Sequence, residues 1–195
     1  MESFIYFYIR PVAIVKNLYR EQLSTLSFYS PEEDINDFYL ASATNQGDVY
    51  LYQKDDLKEN CGSFIPNQKF IHMMIYKQDD MKYLQESVSC LEFNKHGNLI
   101  AGFSKGSTVV WNSISNIESS NLDSNVCYDF KKWRPHNKNC HSTVWSHSGD
   151  KILTASYDGV VKCWAFDPEN FEKNSFDAPE YELYYSDFKV SSSKF

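Results

Sequence analysis

The most regular feature of this chain is a pattern of apolar and polar residues that occurs three times. In each occurrence, an apolar run is followed by a short polar turn and by a second apolar run that ends in an aromatic residue. The three occurrences align without gaps at residues 40–52, 99–111 and 152–164. Alternating apolar runs on both sides of a polar turn are typical of β-hairpins. The pattern therefore predicts three copies of one β-hairpin.

Each predicted hairpin has a glycine in its turn, five residues before the closing aromatic residue. A tight β-turn needs a residue that tolerates positive φ, and glycine does so. The turn glycines are Gly47, Gly106 and Gly159, and the closing aromatic residues are Tyr52, Trp111 and Trp164. A small residue also stands nine positions before each aromatic residue, where we expect strand packing to leave no room for a larger side chain. These small residues are Ala43, Gly102 and Ala155.

Further apolar runs lie on both sides of the hairpins. Upstream of each hairpin, an alternating run predicts one more strand, and these runs are residues 23–28, 88–93 and 140–145. The candidates for a fourth strand are residues 69–76 and 125–130, together with residues 181–190, which form the last outer strand or the start of a further sheet. We therefore expect an all-β fold with about three four-stranded antiparallel sheets.

The repeats resemble those of the WD40 family, in which each unit forms one four-stranded blade of a β-propeller. The third repeat is the most similar, since Pro135-His136 stands at the family's Gly-His position and Asp158-Gly159 occupies the turn. The resemblance implies a buried chain of hydrogen bonds with a structural role, and its members would be His136, Ser156, Asp158 and Trp164. The first two repeats have Gln46 and Lys105 in place of Asp158. We expect neither of them to form this chain of bonds.

The repeats divide the chain into four predicted parts. Residues 1–20 are one or more strands, such as the outer strand of a preceding blade, and residues 21–86 and 87–135 are the first two blades, each with an insertion. Residues 136–195 are the third blade and a C-terminal strand. Known propellers have about four to eight blades. The expectation is thus a partial WD40-type propeller, either a fragment or one that closes with missing blades or a partner chain.

Charge and composition narrow the possible partners. The net charge of −7, from 19 basic and 26 acidic residues, repels phosphate backbones, so we expect no direct nucleic-acid binding. The five cysteines are odd in number and include no C-x-x-C pair, which favours free thiols in a reducing, intracellular compartment. The apolar stretch at residues 4–9 is too short for a signal peptide or a membrane span. We expect no membrane association.

Histidine and cysteine, which are zinc ligands by type, crowd together in the third repeat. The residues are His136, Cys140, His141 and His147. Their spacing matches neither a zinc finger nor a catalytic zinc signature, so we expect structural roles, no bound metal and no cofactor. A metal-dependent protein built on this cluster stays open as an alternative.

Two charged segments are candidate binding sites. The basic segment 131–136 contains Trp133 and is able to hold phosphate or RNA by charge and stacking, but it is also expected as a solvated loop after an outer strand. The acidic segment 32–34, together with Asp37, is able to attract basic peptides such as histone tails, and it too is expected as a solvated loop.

No enzyme signature occurs in the chain. The phosphate-binding glycine motifs, the G-x-S-x-G hydrolase elbow and H-E-x-x-H are all missing, so we expect no enzyme activity. The leading hypothesis is a non-enzymatic scaffold that binds other proteins or peptides through loops held by rigid blades. Within the WD40 family, residues 143–156 resemble the propeller of bromodomain-and-WD-repeat proteins, which implies a nuclear, chromatin-linked or transcription-linked role. The alternative is a structural subunit of a cytoplasmic complex in trafficking, RNA processing or ubiquitin ligation.

Overall fold

The computed structural model describes residues 22–31, 39–53, 86–113 and 129–185. These residues form three antiparallel sheets, which we call blades 1, 2 and 3. Blade 1 has the order β1-β2-β3, with strands Leu23–Tyr29, Tyr39–Thr44 and Val49–Gln53. Blade 2 has the order β4-β5-β6-β7, with strands Val88–Phe93, Leu99–Phe103, Thr108–Trp111 and Phe130–Trp133. Blade 3 has the order β8-β9-β10-β11, with strands Cys140–Trp145, Lys151–Ser156, Val160–Ala165 and Tyr181–Tyr184.

The predicted three antiparallel sheets are confirmed, because within each sheet the strands pair in the order in which they occur along the chain. The connection from β10 to β11 contains a short 3₁₀ turn at Phe171–Lys173. No helix in the described part of the chain is long and apolar enough to cross a membrane.

The first strand of each blade lies at the centre of the arrangement. Strand β1 packs beside β4, and β4 packs beside β8. The blades therefore stack face to face, and each neighbouring pair encloses its own apolar core. Between blades 1 and 2 this core includes Tyr39, Val49 and Trp111, and between blades 2 and 3 it includes Ile100 and Trp164. Such stacking around inner strands is the arrangement of a partial β-propeller.

The outer strands differ in part from their prediction. Strand β7 pairs with β6 from Phe130 to Trp133, so it lies later in the chain than the predicted run at residues 125–130. Lys131 and Lys132 belong to the strand because β7 is the outer edge of the blade, where polar side chains reach solvent.

For the C-terminal run, β11 pairs with β10, so it is the outer strand of blade 3. The predicted strands at residues 1–20 and 69–76 lie outside the described residues.

Candidate functional site

A chain of hydrogen bonds crosses the interior of blade 3. His136, in the loop before β8, has its Nδ1 3.1 Å from Asp158 Oδ2 and its Nε2 2.9 Å from Thr154 Oγ1. Trp164 donates its Nε1–H to the same Thr154 oxygen over 3.1 Å. His136, Thr154 and Trp164 are all buried. The chain thus ties the preceding loop to strands β9 and β10 and to the turn between them.

The middle member of this chain is Thr154, where the resemblance had implied Ser156. Ser156 instead donates to the carbonyl oxygen of Lys138 over 3.1 Å and accepts the N–H of Asp158 over 3.1 Å. The two hydroxyls point to the same side of β9 because they are two residues apart. Thr154 pairs across the sheet with Lys162, two residues from Trp164, whereas Ser156 pairs with Cys140 at the end of the strand. Ser156 therefore lies too far along β9 to bond the Trp164 indole, and its hydroxyl bonds within the turn between β9 and β10 instead.

Burial and the neighbouring charge together determine the protonation state of His136 in this chain of hydrogen bonds. Burial lowers the pKa of His136 below its ordinary value and outweighs the opposite effect of Asp158. The imidazole is therefore neutral at neutral pH, and its contact with Asp158 is a hydrogen bond rather than an ion pair. Because a carboxylate only accepts, Nδ1 carries the proton and Nε2 accepts the hydroxyl proton of Thr154.

Asp158 stays ionised although it is partly buried. Burial acts to raise its pKa, but the N–H of Asn137, the nearby His136 and the N–H of Val160 together hold the pKa below its ordinary value. The carboxylate accepts these two backbone N–H groups over 3.1 Å and 3.0 Å. Asp158 is therefore a structural acceptor for the loop before β8 and for its own turn.

Blades 1 and 2 have other residues at the position of Thr154. The register with the first strand places Ser42 and Ala101 there. Among the described residues, the buried Ser42 hydroxyl has no hydrogen-bond partner, and Ala101 has no polar side chain. Of the closing aromatic residues, Trp111 is buried and Tyr52 pairs with Leu40 in the sheet.

Two of the three turn glycines, Gly47 and Gly106, lie where neighbouring blades meet. Gly47, Gly106 and Gly159 have φ of 97°, 91° and 84°. A Cβ on Gly106 would lie 2.2 Å from the carbonyl oxygen of His136, and a Cβ on Gly47 would lie 2.5 Å from that of Glu86. The turn of one blade therefore packs directly on the backbone that leads into the next blade.

The basic segment 131–136 has mostly structural contacts. Lys131 donates its ammonium to the carbonyl oxygens of Glu172 and Asn174 over 2.7 Å and 2.8 Å. Arg134 donates to the carbonyl oxygen of Lys105 over 3.1 Å, so it holds the turn of blade 2. Its guanidinium and the nearby Lys138 are exposed at the loop edge between blades 2 and 3. The acidic residues 32–34 and Asp37 lie outside the described residues.

The histidines and cysteine of the third repeat occupy separate places. Cys140 is buried, His147 is exposed, and His141 lies against the ring of Tyr157 with centroids 4.7 Å apart. In the described part of the chain, no group of three or more histidine, cysteine, aspartate or glutamate residues is arranged to hold a metal ion.

Two interblade contacts were not anticipated from the sequence. Glu92 on β4 accepts the backbone N–H of Trp145 over 3.0 Å, and its carbonyl oxygen accepts the indole N–H of Trp145 over 3.2 Å. The thiols of Cys90 and Cys140 meet over Gly102. The small residue at position 102 was a signal for close packing, but the strand pattern did not show which side chains would fill the space.

The last blade presents an apolar face, which we call the open face of blade 3. Side chains directly opposite each other in a sheet point to the same side. One cross-strand row on this side is Val144, Leu153, Cys163 and Tyr181. Leu183 lies on the same side, and it is 58% exposed while Tyr181 is 67% exposed.

Comparison with known families finds the same repeat. Residues 129–165 match the model of the WD40 family, described as WD domain, G-beta repeat. The match covers β7 through β10 and includes every member of the His136 chain. The chain therefore contains a WD40 repeat. A search of curated proteins found no match.

Proposed function

From the WD40 repeat at residues 129–165, we propose that this chain is a non-enzymatic protein-interaction scaffold that works as a structural subunit of a larger assembly. WD40 repeat domains are generally non-catalytic modules that bind other proteins or peptides. The observation that carries the proposal is the open face of blade 3. It has the register of an interblade interface and is exposed.

Blade 2 offers the comparison for this face. Its Ile100 and Val110 stand eleven residues and one residue before Trp111, and both are completely buried against blade 3. In blade 3, Leu153 and Cys163 hold the same positions before Trp164 and are only partly buried. The two faces thus correspond at these two central positions, which supports a protein surface as the occupant of the open face.

A polar atom without a partner gives independent support. In blade 2, Ser89 lies in the bulge of the inner strand and donates to Asn139 of the next blade over 2.6 Å. His141 lies in the corresponding bulge of blade 3, and its buried Nε2 has no hydrogen-bond partner in the part of the chain that the structure describes. A buried polar atom of this kind costs free energy until a partner pairs with it. A protein packed on the open face would supply that partner.

Two cellular settings remain as finer proposals. A chromatin-linked, nuclear role follows from the likeness of residues 143–156 to bromodomain-and-WD-repeat proteins. The exposed Arg134 and Lys138 at the loop edge disfavour basic histone tails as ligands there and favour acidic segments. A subunit of a cytoplasmic complex is the second candidate, and the apolar open face favours it.

The test is affinity purification of the tagged chain with a paired set of variants. We expect Tyr181→Glu with Leu183→Glu to lose the fixed set of co-purifying proteins at least tenfold. The matched control is Tyr184→Glu, which lies on the same strand and points to the other side, and it should retain them. Equal recovery of the co-purifying proteins with the wild type, the double variant and Tyr184→Glu would contradict the proposal. Recovery of histones or of cytoplasmic subunits by the wild type would decide between the two settings.

A further inference from the structure

The inner strands of blades 2 and 3 bring two free thiols together. Cys90 lies on β4 and Cys140 on β8, fifty residues apart in the chain. A Cβ on Gly102 would lie 2.6 Å from the sulfur of Cys90 and 3.0 Å from that of Cys140. The space that this glycine leaves open is therefore filled by both sulfurs.

The two thiols differ in access. Cys140 is completely buried, whereas Cys90 is partly exposed. Thr143 donates its hydroxyl to the Cys90 sulfur over 3.5 Å, and Thr108 donates to the Cys140 sulfur over 3.8 Å. Of the two residues, Cys90 is therefore the more accessible to a small oxidant.

The two thiols also differ in acidity. A hydrogen bond from Cys140 lowers the pKa of Cys90 below its ordinary value and outweighs the effect of burial. The same hydrogen bond, followed by burial, raises the pKa of Cys140. The thiolate is the reactive form of cysteine. Cys90 is therefore the thiol that reacts first, and Cys140 stays protonated beside it.

We propose that Cys90 and Cys140 form a redox-active pair that a hydroperoxide oxidises to a disulfide between blades 2 and 3. In the first step, the Cys90 thiolate attacks one peroxide oxygen, the O–O bond breaks and hydroxide leaves, which oxidises the sulfur to a sulfenic acid. In the second step, the Cys140 sulfur attacks the Cys90 sulfur, the S–O bond breaks and water leaves. Two thiols and one hydrogen peroxide thus become one disulfide and two waters.

This modification goes beyond the proposed scaffold function. The bond would join the central strands of two blades covalently, in addition to the hydrogen bonds between Glu92 and Trp145. A dithiol reductant reverses it by thiol–disulfide exchange.

The test is a peptide map of the full chain after oxidation. The reduced protein is treated with one equivalent of hydrogen peroxide, blocked with iodoacetamide and digested with trypsin without reductant. Cys90 and Cys140 fall in separate tryptic peptides, residues 83–95 and 139–151. We expect these two peptides linked, with the mass of two hydrogens lost, and separated again by dithiothreitol. Both peptides alkylated in a sample whose other cysteines are oxidised would overturn the proposal.

Variants separate the two steps. In Cys140→Ser, we expect no link and a sulfenic acid at Cys90 that dimedone traps. Cys163→Ser is the matched control because Cys163 is a partly exposed cysteine on another strand, and it should give the wild-type map. Dimedone trapping at Cys90 to the same extent in the wild type, without the link, would refute the role of Cys140. The wild-type map remains decisive even where a variant folds poorly by circular dichroism.

Discussion

At the scale of single residues, the Thr154 hydroxyl is the central member of the hydrogen-bond chain inside blade 3. It accepts the indole proton of Trp164 and donates to His136, so one buried atom satisfies two others. Leaving a buried donor or acceptor unpaired costs more than a hydrogen bond contributes. Residues of this kind are therefore the most sensitive in the repeat.

We predict that Thr154→Val destabilises the protein by about 2–4 kcal/mol, because the indole N–H and the imidazole nitrogen both lose their partner while the shape stays the same. Urea unfolding measures the loss. Ser156→Ala is the control, and it should cost only about 1 kcal/mol because its two partners, the carbonyl oxygen of Lys138 and the N–H of Asp158, lie on residues that reach solvent. A larger loss for Ser156→Ala than for Thr154→Val would show that the chain of bonds runs through Ser156.

We predict that the free energy of unfolding falls as the pH is lowered below about 6.5. The folded state holds the pKa of His136 below this ordinary value. As the pH falls, the unfolded chain therefore binds a proton at His136 before the folded chain does, which favours unfolding. His141 has a pKa lowered by burial and contributes with the same sign.

Unfolding titrations between pH 8 and pH 5 measure this dependence. His136→Gln should flatten the dependence of the free energy of unfolding on pH in that window. A stability that rises towards pH 5 would contradict the neutral imidazole.

At the scale of elements, the turns between the two middle strands of a blade also act as spacers between blades. Gly106 combines a φ of 91° with a Cβ direction that meets the His136 carbonyl oxygen at 2.2 Å. Backbone conformation and interblade packing therefore both require glycine at this turn.

We predict that Gly106→Ala and Gly106→Asn both lower stability, by about 2 kcal/mol or more, since any Cβ pushes the loop before blade 3 away. Asparagine tolerates positive φ better than alanine does. If the turn conformation alone mattered, Gly106→Asn would regain most of the wild-type stability in thermal unfolding. Equal losses in both variants would support the packing explanation.

At the scale of the whole molecule, neighbouring blades share their cores, so the stability of one blade depends on the next. The core between blades 2 and 3 mixes Ile100 and Val110 with Trp145 and Ile152. The open face of blade 3 has no corresponding neighbour among the described residues.

We predict that Val110→Ala costs about 1–3 kcal/mol and lowers amide-exchange protection in blade 3 as well as in blade 2. Val144→Ala removes the same atoms from the open face of blade 3, where Val144 is only partly buried, and should cost less, with blade 2 unchanged. Hydrogen exchange measured by mass spectrometry distinguishes the effects of the two valine variants. Loss of protection confined to blade 2 in Val110→Ala would mean that the blades unfold independently.

Much of the fold follows from the sequence because its signals are local. Alternation marks the strands, turn glycines mark the hairpins, and the closing aromatic residues mark the repeat. The outer strand of blade 2 was placed too early because it carries Lys131 and Lys132, and an edge strand needs no strict alternation.

The sequence by itself determined the first three strands of each blade, the turns and the threefold repeat, since each of these depends on residues that are neighbours in the chain. The tertiary structure alone decided that Thr154 replaces Ser156 between His136 and Trp164, because cross-strand register selects one of two similar hydroxyls on the same side of β9. It also decided the meeting of Cys90 and Cys140, since the contact joins two inner strands that only the stacking of blades brings together.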